Sequence, residues 1–375
     1  MAALKGITVL ELAGIGPGPF CAMLLADMGA RVIRIDRPDG PPGTRDDVVL
    51  RGRRSLALDL KKPASLAAMK RLAQQADVLI EGFRPGVMER LGLGPEVLLE
   101  TNPRLIYGRM TGWGQDGPLA KLAGHDINYI ALTGALHAMG EADRPPSPPL
   151  NLVGDYGGGG MLLALGILAA LLERGGSGRG QVVDAAMVDG AALLMAPLYG
   201  MLARGRWAAE RGTNFLDGAA SFYGSYTCAC GGYVAVGPIE PAFFAEMLQR
   251  MGLDAADFAN RMDPAFWPAH KAKLTAAFLT RTRDAWAAIF ADSDGCVSPI
   301  LSMAEVRAHP HIAARETFVE AHGAVQPAPA PRLSRTPSAI GAAAPLRGEH
   351  GAEILTEFGF SAAEITALLG VTSTN

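Results

Sequence analysis

Two short stretches carry residue types that move protons. One is Gly124-His125-Asp126-Ile127-Asn128-Tyr129; the other, Asn151-Leu152-Val153-Gly154-Asp155-Tyr156, places Asp155 thirty residues after His125. An imidazole and a carboxyl group can each give or take a proton near neutral pH when their surroundings tune them. Asp126 is a residue type favoured at a helix N-cap, and the pattern of residues 127–136 predicts a helix after it. His125 would then sit beside backbone N–H groups that lack an intrahelical partner. The partial positive charge there disfavours imidazolium, so the ring is expected to stay neutral and able to accept a proton. Asp155 follows an apolar, strand-like run and precedes four glycines, Gly157 to Gly160. A carboxyl in so tight and poorly hydrated a place is expected to have its pKa raised and to remain a donor. A neutral base and a protonated acid that can exchange roles suit proton transfer at carbon. The same residues also have plain structural readings: capping and packing for the histidine, turn chemistry for the aspartate. Spacing alone leaves both open.

The elements that must position this pair read as an α/β chain. Residues 7–12 form a strand pattern, followed by Gly14, Gly16 and Gly18 interleaved with Pro17 and Pro19, a helix over 20–28, and a second strand over 31–36 ending in Asp36. An acid twenty residues after Gly16 suggests a dinucleotide site, but the glycines miss the G-x-G-x-x-G spacing. The two prolines also remove N–H groups that a pyrophosphate would use. A βαβ unit without a nicotinamide site is the expectation. Strand patterns at 55–60, 77–81, 105–109 and 181–184 alternate with helical ones, notably 63–76, 161–173 and a helix running to about 202, as in a largely parallel sheet. Arg37, Arg51, Arg53, Arg54, Arg84 and Arg90 gather near strand ends, where they could hold a phosphorylated ligand. A proline-rich loop at 143–150 is stiff enough to deliver Asp155 to a fixed place.

The texture changes near residue 204. Residues 221–238 have hairpin character around Gly231-Gly232, and helices follow over 243–251, 270–280 and 285–290. An Ala/Pro-rich arm covers 325–345, and residues 351–369 are helical. The boundaries read from this are 1–200 for the first part of a large Rossmann-like α/β domain and 201–220 for a linker. Residues 221–310 then form a small α+β domain, and 311–375 a return arm with the C-terminal part of the large domain.

With 49% hydrophobic and 19% charged residues, the chain has ample core, and its formal net charge of −3 offers no general basic field. Nucleic acid and anionic membrane are therefore poor partners. Cys21, Cys228, Cys230 and Cys296 are too few and too scattered for a disulfide framework, and Cys228-Ala-Cys230 has neither zinc nor redox spacing. No cleavable leader is expected ahead of the first strand and no targeting signal in Thr372-Ser373-Thr374-Asn375, and the apolar run 161–172 is short for a bilayer. A cytoplasmic protein without a metal site is expected.

Longer motifs carry a family resemblance. Gly6-Ile7-Thr8-Val9-Leu10-Glu11-Leu12, Leu25-Ala26-Asp27-Met28-Gly29-Ala30, Val78-Leu79-Ile80-Glu81-Gly82-Phe83-Arg84-Pro85-Gly86, Thr111-Gly112-Trp113-Gly114-Gln115-Asp116-Gly117-Pro118 and Gly180-Gln181-Val182-Val183-Asp184 resemble the family III CoA-transferases over nearly the whole chain. The stretch from Gly124 to Tyr129, that from Asn151 to Asp155, and Val236-Gly237-Pro238-Ile239-Glu240-Pro241 are similar to one branch, the α-methylacyl-CoA racemases. That resemblance implies reversible inversion at C2 of 2-methylacyl-CoA thioesters through an enolate, with no metal or organic cofactor beyond the CoA of the substrate. It implies His125 and Asp155 as the catalytic pair and Glu240 as the residue that orients His125. Glu240-Pro241 is equally a good N-cap and N1 pair. By the same resemblance Arg37, Leu58, Asp59, Leu60, Lys61, Arg84 and Arg90 would hold the CoA phosphates and adenine. Gly124, Asp126, Ile127, Asn128 and Tyr129 would also bind the CoA part of the substrate. The family's fold is an interlocked homodimer. The alternative within it is CoA transfer between carboxylic acids through a mixed anhydride on Asp155; in that branch no histidine matches His125.

Overall fold

The computed structural model describes residues 2–370, so Thr372 to Asn375, read for a targeting signal, lie outside the described residues. Six strands, β1 (Thr8–Leu12), β2 (Arg31–Asp36), β3 (Arg53–Ala57), β4 (Val78–Glu81), β5 (Ile106–Thr111) and β6 (Val182–Ala186), form one sheet in the order β3-β2-β1-β4-β5-β6. Every pairing in it is parallel. This doubly wound order reverses between β1 and β4, and the crevice for a ligand lies at the carboxyl ends of those strands. Successive residues of a strand face opposite sides. Leu10, Ile33 and Leu79 therefore enter one apolar core, and their neighbours Val9, Val32 and Val78 the other. The helices of this unit are α1 (Pro17–Asp27), α2 (Pro63–Ala73), α3 (Val87–Arg90), α4 (Pro95–Thr101), α5 (Asp126–Ala131), α6 (Leu162–Ser177) and α7 (Met187–Leu194). α1 and α2 both begin with proline, whose missing N–H costs nothing in a first turn.

The run before Asp155, expected as a strand, is instead a π-helical segment, Leu152–Met161, that continues into α6. Wide π turns are rare and collect at functional sites. Here the glycines let the segment press against its neighbours: a Cβ on Gly190 of α7 would stand 1.8 Å from the Gly158 carbonyl oxygen. The continuous helix Leu152–Ser177 spans 26 residues and, by length and composition alone, could cross a membrane, unlike the run 161–172 taken by itself. Its Leu163 and Ile167 are fully buried over Gly108 of β5, as in a helix packed on a sheet.

The arginines expected to await a phosphorylated ligand are partly engaged inside the protein. Arg53 and Glu11 are both fully buried and 2.5 Å apart. Arg51 pairs with Asp27 at 2.6 Å, and Arg54 reaches Glu353 and Glu357. A buried guanidinium must be paired, and this need also fixes the Ala/Pro-rich arm. Arg51 donates to Gln326 Oε1 (2.7 Å) and to the Pro327 carbonyl (3.0 Å), while the Gly52 N–H bonds Ala342 O. The arm is thereby held on the first unit.

The chain divides into two compact units. The first runs to Thr133, takes in Leu150–Leu194 and resumes at His311; the second holds Gly134–Pro149 and Met195–Pro310. This division differs from a boundary at 200: the excursion 134–149 goes with the second unit, and the helix expected to run to about 202 breaks at Met195. The reason is Pro197, which cannot donate the backbone hydrogen bond a continuing helix needs, so α8 (Ala196–Ala203) starts afresh around it. In the second unit β7 (Gly224–Thr227), β8 (Tyr233–Val236) and β9 (Val297–Pro299) form an antiparallel sheet in that order. It packs with α9 (Pro241–Met251), α10 (Trp267–Phe278) and α11 (Arg283–Phe290) around Phe222, Phe244, Leu274, Phe278 and Trp286.

Candidate active site

At the carboxyl edge of the parallel sheet lies a cavity of about 700 Å³. Its walls come from the loop after β1 (Gly14 to Pro19), the loop after β4 (Gly82 to Pro85), Trp113 beyond β5, and Gly124, His125, Tyr129, Asn151, Asp155 and Met187. The two proton-moving residues singled out from sequence thus meet in one space.

His125 is itself the N-cap of α5, with extended backbone. Its N–H donates to Asn128 Oδ1 at 3.0 Å, and its carbonyl accepts the N–H groups of Asn128 (2.8 Å) and Tyr129 (3.2 Å). These bonds lock the histidine backbone, and the residue is exposed on the cavity wall. The helix ends at Ala131 instead of residue 136, with left-handed Gly134 (φ 79°) closing the turns that follow.

Asp126, expected to cap this helix, does something else. It is 5% exposed, and its Oδ2 accepts the backbone N–H groups of Gly154 (2.6 Å) and Asp155 (2.7 Å). Asp126 and Asn151 thus hold Asp155, alongside the expected stiff loop 143–150. Asn151 Nδ2 donates to Asp155 Oδ2 at 3.0 Å across one helical turn. Burial raises the pKa of Asp155, the Asn151 hydrogen bond lowers it, the Asp126 charge raises it again and His125 lowers it; the net effect is upward. A shift in this direction favours the protonated, donating form over that of an ordinary aspartate.

Tyr129 is buried, gives its hydroxyl hydrogen to the Gly124 carbonyl and meets Trp113 edge-on, ring centres 4.8 Å apart. Arg84 is exposed on the cavity wall. The loop that carries it is braced from below: the Phe83 N–H donates to Glu81 Oε2 (2.7 Å), and Arg109 bridges Glu81 (3.1 Å) and Glu89 (2.7 Å).

The remaining expected CoA residues stand outside this wall. Arg37 follows β2 and pairs in solvent with Asp39 at 3.0 Å. Leu58 is buried, Asp59 accepts from the Lys61 N–H (3.1 Å), and Leu60 packs on the core, all just past β3. Arg90 ends α3, and Ile127 and Asn128 are exposed on α5. Glu240 belongs to the second unit, where it is the N-cap of α9 ahead of Pro241, yet its carboxylate makes no capping hydrogen bond. Among the described residues no group of three or more His, Cys, Asp or Glu side chains is gathered for a metal ion, and all four cysteines are free.

Sequence reasoning missed Asn151 and the loop from Gly14 to Pro19 as parts of the site, and it named Asp126 without the role of its carboxylate. The four-residue spacing of Asn151 and Asp155 was a usable signal, but only for a helix, and that segment reads as a strand.

The chain is similar to known proteins over nearly its whole length. The family described as CoA-transferase family III matches residues 4–351. Alpha-methylacyl-CoA racemase of Homo sapiens is 48% identical over 370 residues, covering 98% of this chain and 96% of that one. Its counterpart from Mus musculus is 47% identical over 367 residues, covering 97% and 96%. Among solved structures, a CAIB/BAIF family protein from Brucella suis has a TM-score of 0.80 at 30% identity, covering 95% of this chain and 99% of its own. On a match of this extent, the chain belongs to CoA-transferase family III.

Proposed function

We propose that this protein inverts the configuration at C2 of 2-methylacyl-CoA thioesters by passing a proton between the substrate and His125 or Asp155. The observation that carries this reading is that His125 and an Asp155 of raised pKa line one cavity. The near-full-length relatives named alpha-methylacyl-CoA racemase support the substrate class.

One residue takes the C2 proton from one face, the electron pair moves into the thioester carbonyl, and the enolate receives a proton from the other residue on the opposite face. The other stereoisomer runs the same steps in reverse. First-turn N–H groups of Asp126 and Ile127 have no carbonyl within α5 to bond and would receive the charge on the thioester oxygen. Arg84 would meet a CoA phosphate, with Arg37, Arg90 and the run Leu58, Asp59, Leu60 and Lys61 further along the same sheet edge. CoA enters as part of the substrate, and the proton chemistry rests on side chains of this chain.

The working form is a homodimer in which Glu240 orients His125. Support comes from apolar side chains left exposed on α6 and α7, including Leu165 (62%), Leu172 (82%) and Leu193 (61%). Four free thiols suit the cytoplasm.

The test is solvent exchange. In D2O, with a 2-methylacyl-CoA and no free acid acceptor, a racemase places deuterium at C2, whereas a transferase working through an Asp155 anhydride leaves C2 untouched. In His125→Ala the rate falls by roughly 10²–10⁴, the range for losing a positioned acid or base. One stereoisomer should then exchange slowly without inverting, because Asp155 still faces one side of C2. Equal exchange and inversion of both stereoisomers in that variant would refute the assignment.

A further inference from the structure

The carboxylate of Asp126 occupies an unusual place between the two proton-moving residues. Asp126 directly follows His125 in the chain and opens α5, whose first turn clamps the His125 backbone through three hydrogen bonds. Its own side chain turns inward, away from that helix. One oxygen, Oδ2, takes both the Gly154 and the Asp155 N–H, at 2.6 and 2.7 Å. The other, Oδ1, is buried and has no hydrogen-bond partner among the described residues. All the hydrogen bonding given to this carboxylate is therefore directed at the backbone that carries Asp155.

The site is built around that contact. A Cβ on Gly154 would lie 2.6 Å from Asp126 Oδ2 and 2.9 Å from its Cγ, so only glycine lets the segment come this close. A helix interior offers its N–H groups to carbonyls one turn back. At the start of the π-helical segment those carbonyls are missing, so the amides of Gly154 and Asp155 are free for a side chain to collect. Two amides on one charged oxygen make short, charge-assisted bonds, about twice as strong as neutral ones.

We propose that Asp126 is a positioning residue of the proton-transfer pair: its carboxylate ties the Asp155 backbone to the residue next to His125 and so fixes the separation of the two. This rests on the proton-transfer reading above. The tether joins two elements 28 residues apart in sequence, and both amides it holds belong to the backbone that carries Asp155. It has an electrostatic consequence as well. The Asp126 charge faces Asp155 and opposes its ionisation, after burial has already done so; Asn151 and His125 act the other way. Position and acidity of Asp155 therefore depend on one side chain that does not itself touch the reacting carbon.

Two variants separate these effects. Asp126→Ala removes the acceptor, and a misplacement near 1 Å predicts a loss of kcat of about 10²-fold with KM changed little. Asp126→Asn keeps an acceptor for both amides and removes the charge, so its kcat should stay within about tenfold of wild type. In Asp126→Asn the limbs of the pH–rate profiles governed by Asp155 should move to lower pH in both reaction directions. The carboxyl carbon of Asp155, followed by NMR in isotope-labelled protein, should titrate at lower pH as well. That titration decides the matter even where the alanine variant fails to fold. Equal rate loss in both variants, or an Asp155 titration unmoved in Asp126→Asn, would overturn the proposal. Wild-type C2 exchange is measured first: its absence refutes the proton-transfer reading, while the titration still tests the tether.

Discussion

The contact between Gly158 and Gly190 sets a sharp test of how Asp155 is held. In Gly190→Ala the new Cβ would stand 1.8 Å from the Gly158 carbonyl oxygen, 2.5 Å from its carbon and 2.7 Å from its Cα. These are backbone atoms, so no rotamer change relieves the overlap. Non-bonded atoms rest about 3.5 Å apart, so α7 and the π-helical segment must separate by roughly 1.7 Å. Overpacking of this kind costs about 1–3 kcal/mol, and the upper end applies where backbone meets backbone. Asp155 lies three residues before Gly158 in the same segment. A shift near 1 Å at a reacting group lowers rate by about 10²-fold. Urea unfolding reads the first effect and C2 deuterium exchange the second. Gly175→Ala is the control: Gly175 is within α6 and has nothing within 4 Å of a Cβ. The same substitution there should stabilise by about 0.4–1 kcal/mol. A Gly190→Ala protein within about 0.5 kcal/mol of wild type, exchanging at the wild-type rate, would show that this contact does not hold the site.

Three further outcomes follow from the site. Asp155 has its pKa raised in the folded state, so the unfolded chain ionises first as pH rises and the native state binds the extra proton. Stability then falls as pH rises from the ordinary aspartate range, about 4, through the folded value. Asp155→Asn should therefore unfold at higher urea than wild type at pH 8 and match it near pH 3; a difference of the opposite sign would refute the raised pKa. Arg84→Ala should weaken binding of free CoA by about 1.5–3 kcal/mol, the worth of a hydrogen bond to a charged group. Calorimetry showing equal affinity would remove Arg84 from the phosphate site. An interlocked dimer should form no mixed species when tagged and untagged protein are held together for hours under native conditions, and rapid mixing or a sedimenting monomer would exclude it.

Local chemistry in the sequence determined much of this protein. Alternation and bounding residues placed β2 over Arg31–Asp36, and Pro63 marked the start of α2. Gly231 turns the chain between β7 and β8 as its type required. These signals are local because strand period, proline and glycine act through neighbouring residues. His125 and Asp155 were legible for the same reason, as residue types with long motifs around them. What only the tertiary structure decided is how they are held. Four glycines in a row argue against a helix in isolation, and Leu152–Met161 is helical because α1 and α7 pack against it closely enough to exclude any larger residue. Asp126 reads as a cap because nothing nearby in sequence reveals that its acceptor oxygen serves two amides 28 and 29 residues on. Arg53 reads as one of the strand-end cations open to a phosphorylated ligand, and its burial becomes possible only where β1 brings Glu11 beside it. Each such case depends on a partner distant in the chain, and a charge or a close backbone approach is tolerated inside a protein only when that partner is in place.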